Sequence, residues 1–253
     1  MSVTSKPWYK RPVLLVIAVI GGLLAVALAY FIGQTIYFMV LIKMGKMKPP
    51  ADTRFEQLRL SVAVALEKRL ADPQMKKIEE GVNPTMGNPD AKVRIVEFVD
   101  YECAYCRQTE SVISDYMARH ATDTYLVIRD FPVAELHPFA EASTLAARCV
   151  FEMDPAKYWP FRDRLFATQG ENRSLEGFVQ EAKALGLDTN KFADCYRSQK
   201  WLDEINASVD LGDSLGIQGT PTFYFNGSSF EGAMDKDFFE IVTDEARKKA
   251  ATK

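Results

Sequence analysis

The sequence predicts an α/β domain with a large helical insertion, preceded by one membrane-spanning helix. Three observations lead to this prediction. The chain opens on a long apolar run, short β-branched runs alternate with helical patterns from residue 92 onward, and helical patterning occupies about 137–214. A chain of 253 residues has room for one membrane segment and one domain that buries a full core.

Residues 13–42 are predicted to form a transmembrane anchor. No charged residue occurs in this range, and a spanning helix needs about 20 mostly apolar residues. Three basic residues lie within 1–12, and by the positive-inside rule they hold this N-terminus in the cytoplasm and place the rest of the chain outside. A cleaved signal peptide is the alternative, because Ala-Leu-Ala at 27–29 is an acceptable cleavage site. The apolar run continues beyond that site, which favours the uncleaved anchor.

Residues 43–86 are predicted to be a helical linker or stalk. Two prolines at 49–50 break the chain, and apolar residues, the last of them Leu70, then recur at spacings of three and four in a predicted helix over 51–81. In one interpretation this helix lies on the globular domain. In the other it self-associates and makes the protein a homo-oligomer, but the apolar stripe is short for a coiled coil. Prolines and glycine at 83–89 then predict a loop.

The globular domain is predicted over residues 87–253. Its strands are short apolar or β-branched runs: 93–99, 125–128, 222–225 and 229–231. A helix follows the first strand, Asn226-Gly227 is a hairpin turn signal before the last strand, and a helix over 235–249 closes the chain. Without the helical insertion at about 137–214, the order is β-α-β followed by β-β-α, which resembles the thioredoxin fold.

Charge and cysteine content narrow the class of protein. The formal net charge is −3 and no half of the chain is strongly basic, so no nucleic-acid partner is expected. The four cysteines comprise a C-x-x-C pair, Cys103 and Cys106, and two isolated residues, Cys149 and Cys195. In a reducing compartment this pattern indicates a redox or metal motif with two buried thiols, whereas in an oxidising compartment it indicates two disulfides.

The C-x-x-C pair lies where a predicted strand is followed by a helix. A thiol at a helix N-terminus faces unpaired N–H groups and the positive end of the helix dipole, which favour the thiolate. We expect Cys103 to be exposed and to attack a partner protein, with Cys106 nearly one turn inside to resolve the mixed disulfide. The alternative is half of a zinc site, which Cys149 and Cys195 would have to complete although neither belongs to a C-x-x-C pair.

Two further features accompany the pair. Glu97 lies six residues before Cys103 in an apolar strand, where an unpaired carboxylate is costly to bury. It is either a proton donor or acceptor for Cys106 with a raised pKa, or a charge at a strand edge that reaches solvent. Thr220-Pro221 precedes the third predicted strand, and a cis bond there would offer the Thr220 backbone to an extended substrate segment.

These motifs resemble the DsbA-like branch of the thioredoxin superfamily. The resemblance runs from about 87 to 241 and rests on residues 97–106 and 219–223, with shorter matches such as His137-Pro138 in the same order. It implies a disulfide oxidoreductase, periplasmic or otherwise outside the cytoplasm. It also implies catalytic roles for the residues that match the family's motifs: Cys103 as nucleophile, Cys106 as resolving cysteine, Glu97 as buried acid, and Pro221 as a cis proline that binds substrate with Thr220.

The dipeptide between the cysteines departs from the family's strongest oxidases, which have Pro-His there. Ala104 and Tyr105, which we expect to contact substrate, are closer to the dipeptides of related isomerases. The resemblance therefore implies either an oxidase of cysteine-containing secreted proteins that a membrane partner of the DsbB type reoxidises, or an isomerase or reductase kept reduced by a membrane donor. A non-catalytic, membrane-tethered chaperone-like module is a third hypothesis. Neither a cofactor nor a metal is expected.

Cys149 and Cys195 lie 46 residues apart, each in a predicted helix of the insertion. Two structural cysteines outside the cytoplasm usually pair, and related proteins carry a similar pair that bridges two helices. We therefore expect a structural disulfide rather than two free buried thiols. The condition is geometric, since the two Cα atoms must lie within ~7 Å.

Overall fold

The computed structural model describes residues 12–44, 53–67, 72–171 and 173–251. It opens on a 32-residue helix, α1 (Pro12–Lys43). The segment Val16–Leu41 of this helix has a mean hydropathy of 2.5, and none of it is buried in a protein core. By length and composition, α1 is therefore suited to cross a membrane. All but the last residue of the predicted cytoplasmic N-terminus lies outside the described residues.

The contacts within the chain define two units, Met1–Gln57 and Leu58–Lys253. The second unit holds the whole α/β domain, and it includes residues that the sequence assigned to the linker. The C-x-x-C pair lies in the second unit.

The single helix predicted over 51–81 is wrong. The structure has two shorter helices there, α2 (Thr53–Ala65) and α3 (Asp72–Glu79). Pro73 lies in the first turn of α3, where its missing N–H is tolerated, whereas in a helix interior it would remove a hydrogen bond and clash with the preceding turn. Leu70, the last residue of the predicted apolar stripe, lies outside the described residues.

The part of α2 that belongs to the second unit packs within that unit. Val62 and Leu66 are buried in the main core, and the carbonyl oxygen of Leu66 accepts a hydrogen bond from the Ser228 hydroxyl at 3.2 Å. These contacts agree with the interpretation in which this segment lies on the globular domain. Leu60 and Val64, on another face of the helix, are exposed. Self-association through this segment stays a prediction.

A five-stranded sheet in the order β1-β3-β2-β4-β5 forms the centre of the second unit. Its strands are β1 (Thr85–Gly87), β2 (Val93–Val99), β3 (Thr124–Asp130), β4 (Thr222–Phe225) and β5 (Ser228–Glu231). β2 and β3 run parallel, and the other neighbouring pairs are antiparallel. The last four strands correspond to the four predicted ones. Because β2 and β3 are parallel, the loops that follow them lie at the same edge of the sheet.

Seven helices follow β2 in the described part of the chain. They are α4 (Ala104–His120), α5 (Ala140–Met153), α6 (Pro155–Ala167), α7 (Leu175–Ala184), α8 (Thr189–Ser198), α9 (Leu202–Ser214) and α10 (Lys236–Ala251). α5 to α9 lie between β3 and β4, which confirms the helical insertion. Cys149 on α5 and Cys195 on α8 form a disulfide with their Cα atoms 5.8 Å apart, so they are not two free thiols.

Strand β1 was missed because its segment has the composition of a loop. It has only three residues and lies between Pro84 and Pro89. Gly87 has a φ of +94°, and a Cβ at this position would lie 2.1 Å from the carbonyl oxygen of Thr124 on the neighbouring strand. From the sequence, Gly87 suggests a turn. In the structure it is required because two strands approach too closely for any side chain.

Side chains of the central strand β2 alternate between the two faces of the sheet. Val96 and Phe98 enter a smaller core that includes residues of α3 and α9. Ile95 and Val99 enter the main core, to which α4, α6 and α10 contribute. Glu97 has the same parity as Ile95, so its carboxyl group is directed into the main core.

Candidate active site

The C-x-x-C pair lies where β2 passes into α4 at one edge of the sheet. Cys103 is the N-cap residue of α4, with extended backbone angles (φ −77°, ψ 122°), and Cys106 is in the first turn of that helix. The unpaired N–H groups and positive dipole end of α4 therefore face the Cys103 sulfur. Neither cysteine is joined in a disulfide in this structure.

The prediction that Cys103 is exposed is wrong, since only 5% of its surface is accessible. Its sulfur lies 3.2 Å from the carbonyl oxygen of Thr220, to which the protonated thiol donates a hydrogen bond, so the loop before β4 covers the sulfur. A hydrogen bond from Cys106, together with bonds from the Thr220 side chain and from backbone N–H groups of α4, lowers the pKa of Cys103 to about 5 against the opposing effect of burial. Cys103 is therefore mainly a thiolate at neutral pH.

Cys106 lies fully buried in the main core. Burial, then the hydrogen bond and charge of Cys103, and then the charge of Glu97, raise the pKa of Cys106 well above its ordinary value. The two thiols thus differ as exchange chemistry requires: one is ionised, and the other holds its proton behind it.

The two residues between the cysteines point away from the core. Ala104 is exposed, and Tyr105 has 62% of its surface accessible. Their exposure is compatible with the expected contact with substrate, which stays a prediction.

The peptide bond between Thr220 and Pro221 is cis, as the family resemblance implied. The Pro221 carbonyl oxygen accepts a hydrogen bond from the Gly232 N–H at 2.8 Å. The Thr222 hydroxyl donates to the carbonyl oxygen of Gly219 at 2.7 Å. The loop that contacts the Cys103 sulfur is thus held on both sides by its own hydrogen bonds.

Glu97 is completely buried, which rules out a charge at a strand edge that reaches solvent. Its Oε2 accepts a hydrogen bond from Nη2 of Arg162 at 2.8 Å, while its Oε1 has no partner among the described residues. Burial raises the pKa of Glu97, the charge of Arg162 opposes the rise, and the charge of Glu110 adds to it. Glu97 in turn acts electrostatically on Cys106. The surroundings therefore suit a carboxyl group that exchanges a proton with the inner cysteine.

Two members of this buried cluster were missed from the sequence. Arg162 on α6 is fully buried, and its Nε donates to Oε2 of Glu110 at 2.7 Å. Glu110 lies one turn after Cys106 on α4, so both are on one face of the helix. This spacing could have indicated from the sequence that Glu110 lies near the site. Arg162 had no such signal, because it lies 65 residues from Glu97 inside the insertion.

Asp100 organises the loop between β2 and the cysteines. Its Oδ1 accepts from the Glu102 N–H at 2.8 Å. Its Oδ2 accepts from the Val133 N–H at 2.9 Å and lies 2.8 Å from Nδ1 of His137. The loop after β3 is thereby attached to the loop that carries Cys103. His137, noted in the sequence only as a family landmark, thus has a structural contact near the site.

The zinc hypothesis is not supported by the cysteine arrangement. Cys149 and Cys195, which would have to complete a four-cysteine site, are bonded to each other in the insertion. Among the described residues, no cluster of three or more histidine, cysteine, aspartate or glutamate side chains has a metal-binding arrangement.

Solved structures that resemble this chain include a thiol–disulfide exchange protein and a thioredoxin-like oxidoreductase. The thiol–disulfide exchange protein alpha-DsbA2 from Wolbachia pipientis is 25% identical, with a TM-score of 0.62 over 74% of this chain and 96% of that protein. A thioredoxin-like oxidoreductase from Silicibacter pomeroyi is 26% identical, with a TM-score of 0.61 over 71% of this chain and 99% of that protein. BdbD from Bacillus subtilis, at 22% identity and a TM-score of 0.59 over 66% of this chain and 93% of that protein, shows the same fold.

Curated proteins that are similar to this chain in sequence are named as Na(+)/H(+) antiporters, not as thiol–disulfide exchange proteins. The Na(+)/H(+) antiporter NhaA 3 of Salinispora tropica is 32% identical over 58% of this chain, and the Na(+)/H(+) antiporter NhaA of Herminiimonas arsenicoxydans is 24% identical over 93% of it. The chain spans only 22% and 34% of the length of these two proteins, so their names describe much longer polypeptides.

The family model described as thioredoxin matches residues 79–245, well over half of the chain. This match begins before the predicted domain boundary at 87, in agreement with the place of β1 in the sheet. With its thioredoxin-like sheet, its helical insertion and its DsbA-like structural neighbours, the chain belongs to the thioredoxin family, in the DsbA-like branch of thiol–disulfide oxidoreductases.

Proposed function

We propose that this chain catalyses thiol–disulfide exchange in secreted proteins, with Cys103 as nucleophile and Cys106 as resolving cysteine. The observation that carries the proposal is the opposite shift of the two thiols: the pKa of Cys103 is lowered to about 5, and that of the buried Cys106 is raised. A structural dithiol has no need of this difference, whereas exchange requires one reactive sulfur and one that waits behind it.

In the oxidase direction, a substrate thiolate attacks the Cys103 sulfur of the enzyme disulfide. The Cys103–Cys106 bond breaks, a mixed disulfide forms, and Cys106 leaves with the bonding electron pair and takes up a proton. A second substrate thiolate then attacks the substrate sulfur of the mixed disulfide, and Cys103 leaves as a thiolate. The substrate loses two electrons and the enzyme pair gains them.

Glu97 is the proposed source of the proton for Cys106. Its raised pKa favours the protonated carboxyl group, and Cys106 needs a proton when it leaves because burial disfavours its thiolate. In the reductase direction, the same carboxylate takes this proton back before Cys106 attacks the mixed disulfide.

The low pKa of Cys103 favours the oxidase direction. A stabilised thiolate stabilises the reduced pair, which makes the corresponding disulfide a stronger oxidant. A membrane partner of the DsbB type would then return the pair to the disulfide. The Ala104-Tyr105 dipeptide favours the second candidate, an isomerase or reductase that a membrane donor keeps reduced, because it lacks the Pro-His of the strongest oxidases.

The surface around the pair suits a polypeptide substrate. Among the described residues after α3, the exposed large apolar side chains are Val82, Tyr105, Leu136 and Phe139. Tyr105 lies between the cysteines. Leu136 and Phe139 lie after β3, in the segment that is hydrogen-bonded to Asp100. Unfolded chains expose apolar side chains that such a surface can bind, as we propose for cysteine-containing clients.

We also propose that α1 anchors the domain in a membrane with residues 1–12 in the cytoplasm. Support comes from the exposed apolar helix and from the basic residues before it. The domain would then act in the periplasm or otherwise outside the cytoplasm.

The test is exchange by the purified full chain in detergent micelles, measured as oxidation of a reduced secreted protein and as reduction of insulin. Cys103→Ser should abolish both activities, and Cys106→Ser should accumulate mixed disulfides with the client. A Cys103→Ser variant with wild-type turnover would refute the assignment. A chain that suppresses client aggregation equally well with and without Cys103, and catalyses no exchange, would instead indicate the non-catalytic binding module.

A further inference from the structure

A turn of the helical insertion binds the backbone that carries the nucleophile. Nε2 of Gln169, two residues after α6, donates to the carbonyl oxygens of Tyr101 and Cys103, each at 2.9 Å. The two N–H bonds of one amide group thus go to the carbonyl oxygens of the two residues that flank Glu102. The partners lie 68 and 66 residues apart in sequence, so this contact exists only in the folded chain.

The turn is tied to the same loop through Glu102. Only 6% of the Glu102 side chain is exposed. Its Oε2 accepts from the Gly170 N–H at 2.8 Å, and its Oε1 accepts from the Ser143 hydroxyl at 2.8 Å and from Nε of Arg173. The glutamine is therefore flanked by backbone that is itself bound to the nucleophile loop, which keeps its amide in place.

The charges of this contact are balanced. A lone carboxylate beside the nucleophile would oppose the Cys103 thiolate by like-charge repulsion. The guanidinium group of Arg173, whose side chain is 2% exposed, forms an ion pair with Glu102 and also donates to the carbonyl oxygen of Leu165 at 2.7 Å. The amide of Gln169 is then the group of this turn that acts directly on the cysteine's own peptide unit.

The backbone orientation of Cys103 decides which groups its sulfur meets. Its carbonyl oxygen accepts from the Arg107 N–H at 3.1 Å, which closes the first turn of α4, and Gln169 is a second donor to the same oxygen. The sulfur belongs to the N-cap residue, so it faces the unpaired N–H groups of that same first turn. An amide that holds this peptide unit therefore also holds the sulfur against its donors.

We propose that Gln169 is a positioning residue for the exchange reaction: through the carbonyl groups of Tyr101 and Cys103 it keeps the nucleophilic sulfur against the first turn of α4. The inference rests on the proposed function, because it concerns the reactivity of the same cysteine. The helical insertion then sets the reactivity of the pair in addition to covering the sheet.

The test is a series at Gln169 in the full chain, with the rate of Cys103 alkylation measured against pH. For Gln169→Met, which keeps the length and loses the donors, we expect the midpoint of thiolate formation to rise by roughly half to one unit, a three- to tenfold loss of rate below the midpoint. Gln169→Lys restores donors and should return the midpoint to or below the wild-type value. Gln169→Glu offers only acceptors and should raise it most.

Gln180→Met on the exposed side of α7 is the matched control and should behave as wild type. A folded Gln169→Met variant with the wild-type midpoint and exchange rate would overturn the inference. Equal shifts for the Met and Lys variants, together with a lowered melting temperature, would show a merely structural role and overturn it as well. In either case a wild-type chain that exchanges disulfides leaves the proposed function intact, whereas a wild type with an ordinary thiol and no turnover would refute both.

Discussion

The ionisation of Cys103 gives the sharpest prediction for this protein. With a pKa of about 5, its thiolate outnumbers its thiol by about 100 to 1 at pH 7, since each pKa unit is a factor of ten. At the ordinary value of 9.0, the ratio is reversed to about 1 to 100, so the shift corresponds to a change of about 10⁴-fold in the thiolate-to-thiol ratio. The largest contribution comes from the Cys106 thiol, and Cys106→Ala should therefore raise the midpoint.

The assay is the alkylation rate of the reduced full chain between pH 3 and 10. Cys149 and Cys195 are joined in a disulfide, and Cys106 is buried with a raised pKa, so the fast phase reports on Cys103. The rate should be at its plateau at pH 7 and fall as the pH drops through about 5. Cys103→Ser should lose this phase. A midpoint near 9, or one that Cys106→Ala leaves in place, would refute the electrostatic argument.

The same shift links stability to pH. The folded-state pKa of Cys103 is depressed, so its ionisation contributes stability to the reduced protein that is fully present above the unfolded-state pKa and is lost as the pH falls through about 5. As the pH rises from about 5 to 9, the free energy of unfolding of the reduced protein should therefore increase relative to that of the oxidised protein. Thermal melts of both forms across this pH range measure the difference.

Three further outcomes are expected. Replacing Cys149 and Cys195 together with serine should lower the melting temperature, corresponding to a loss of about 2–4 kcal/mol, and leave exchange largely intact, as melts and turnover of the same sample will show. Glu97→Gln should slow the release or attack of Cys106 more than the initial attack by Cys103, which mixed-disulfide trapping against time resolves; equal slowing of both steps would contradict the proton-transfer role. Protease added to intact spheroplasts should digest the domain, and protection of the domain would contradict the proposed topology.

Features that depend on neighbours along the chain were predictable. The apolar run of α1, the four longer strands and the turn at Asn226-Gly227, with φ values of 48° and 92°, all follow from local composition. The C-x-x-C pair at a helix start also indicated its chemistry, because the N-terminal dipole acts within the first turn. Strand β1 and the break before α3 were missed. In both cases a glycine or a proline is compatible with more than one local structure, so its position alone does not decide the element.

The accessibility of the nucleophile was a tertiary property. A cysteine at the N-terminus of a helix is expected to have a solvent-exposed sulfur. In the folded chain, however, Thr220, which lies 117 residues away in sequence, contacts the Cys103 sulfur. The same holds for Glu97, whose burial depends on the central position of β2 in the sheet rather than on its own sequence neighbours.

The sequence by itself determined the family, the C-x-x-C pair at the start of a helix and the carboxyl group that accompanies it, because these lie in short motifs whose spacing places them together on one strand, turn and helix. Only the tertiary structure decided which groups act on them. Arg162 and Gln169 belong to an insertion whose apolar helices are packed by non-directional burial, and the direction in which its polar side chains point is settled only when those helices are docked. A guanidinium or an amide can then satisfy a buried carboxylate or carbonyl group more than 60 residues away, at positions that no local pattern marks.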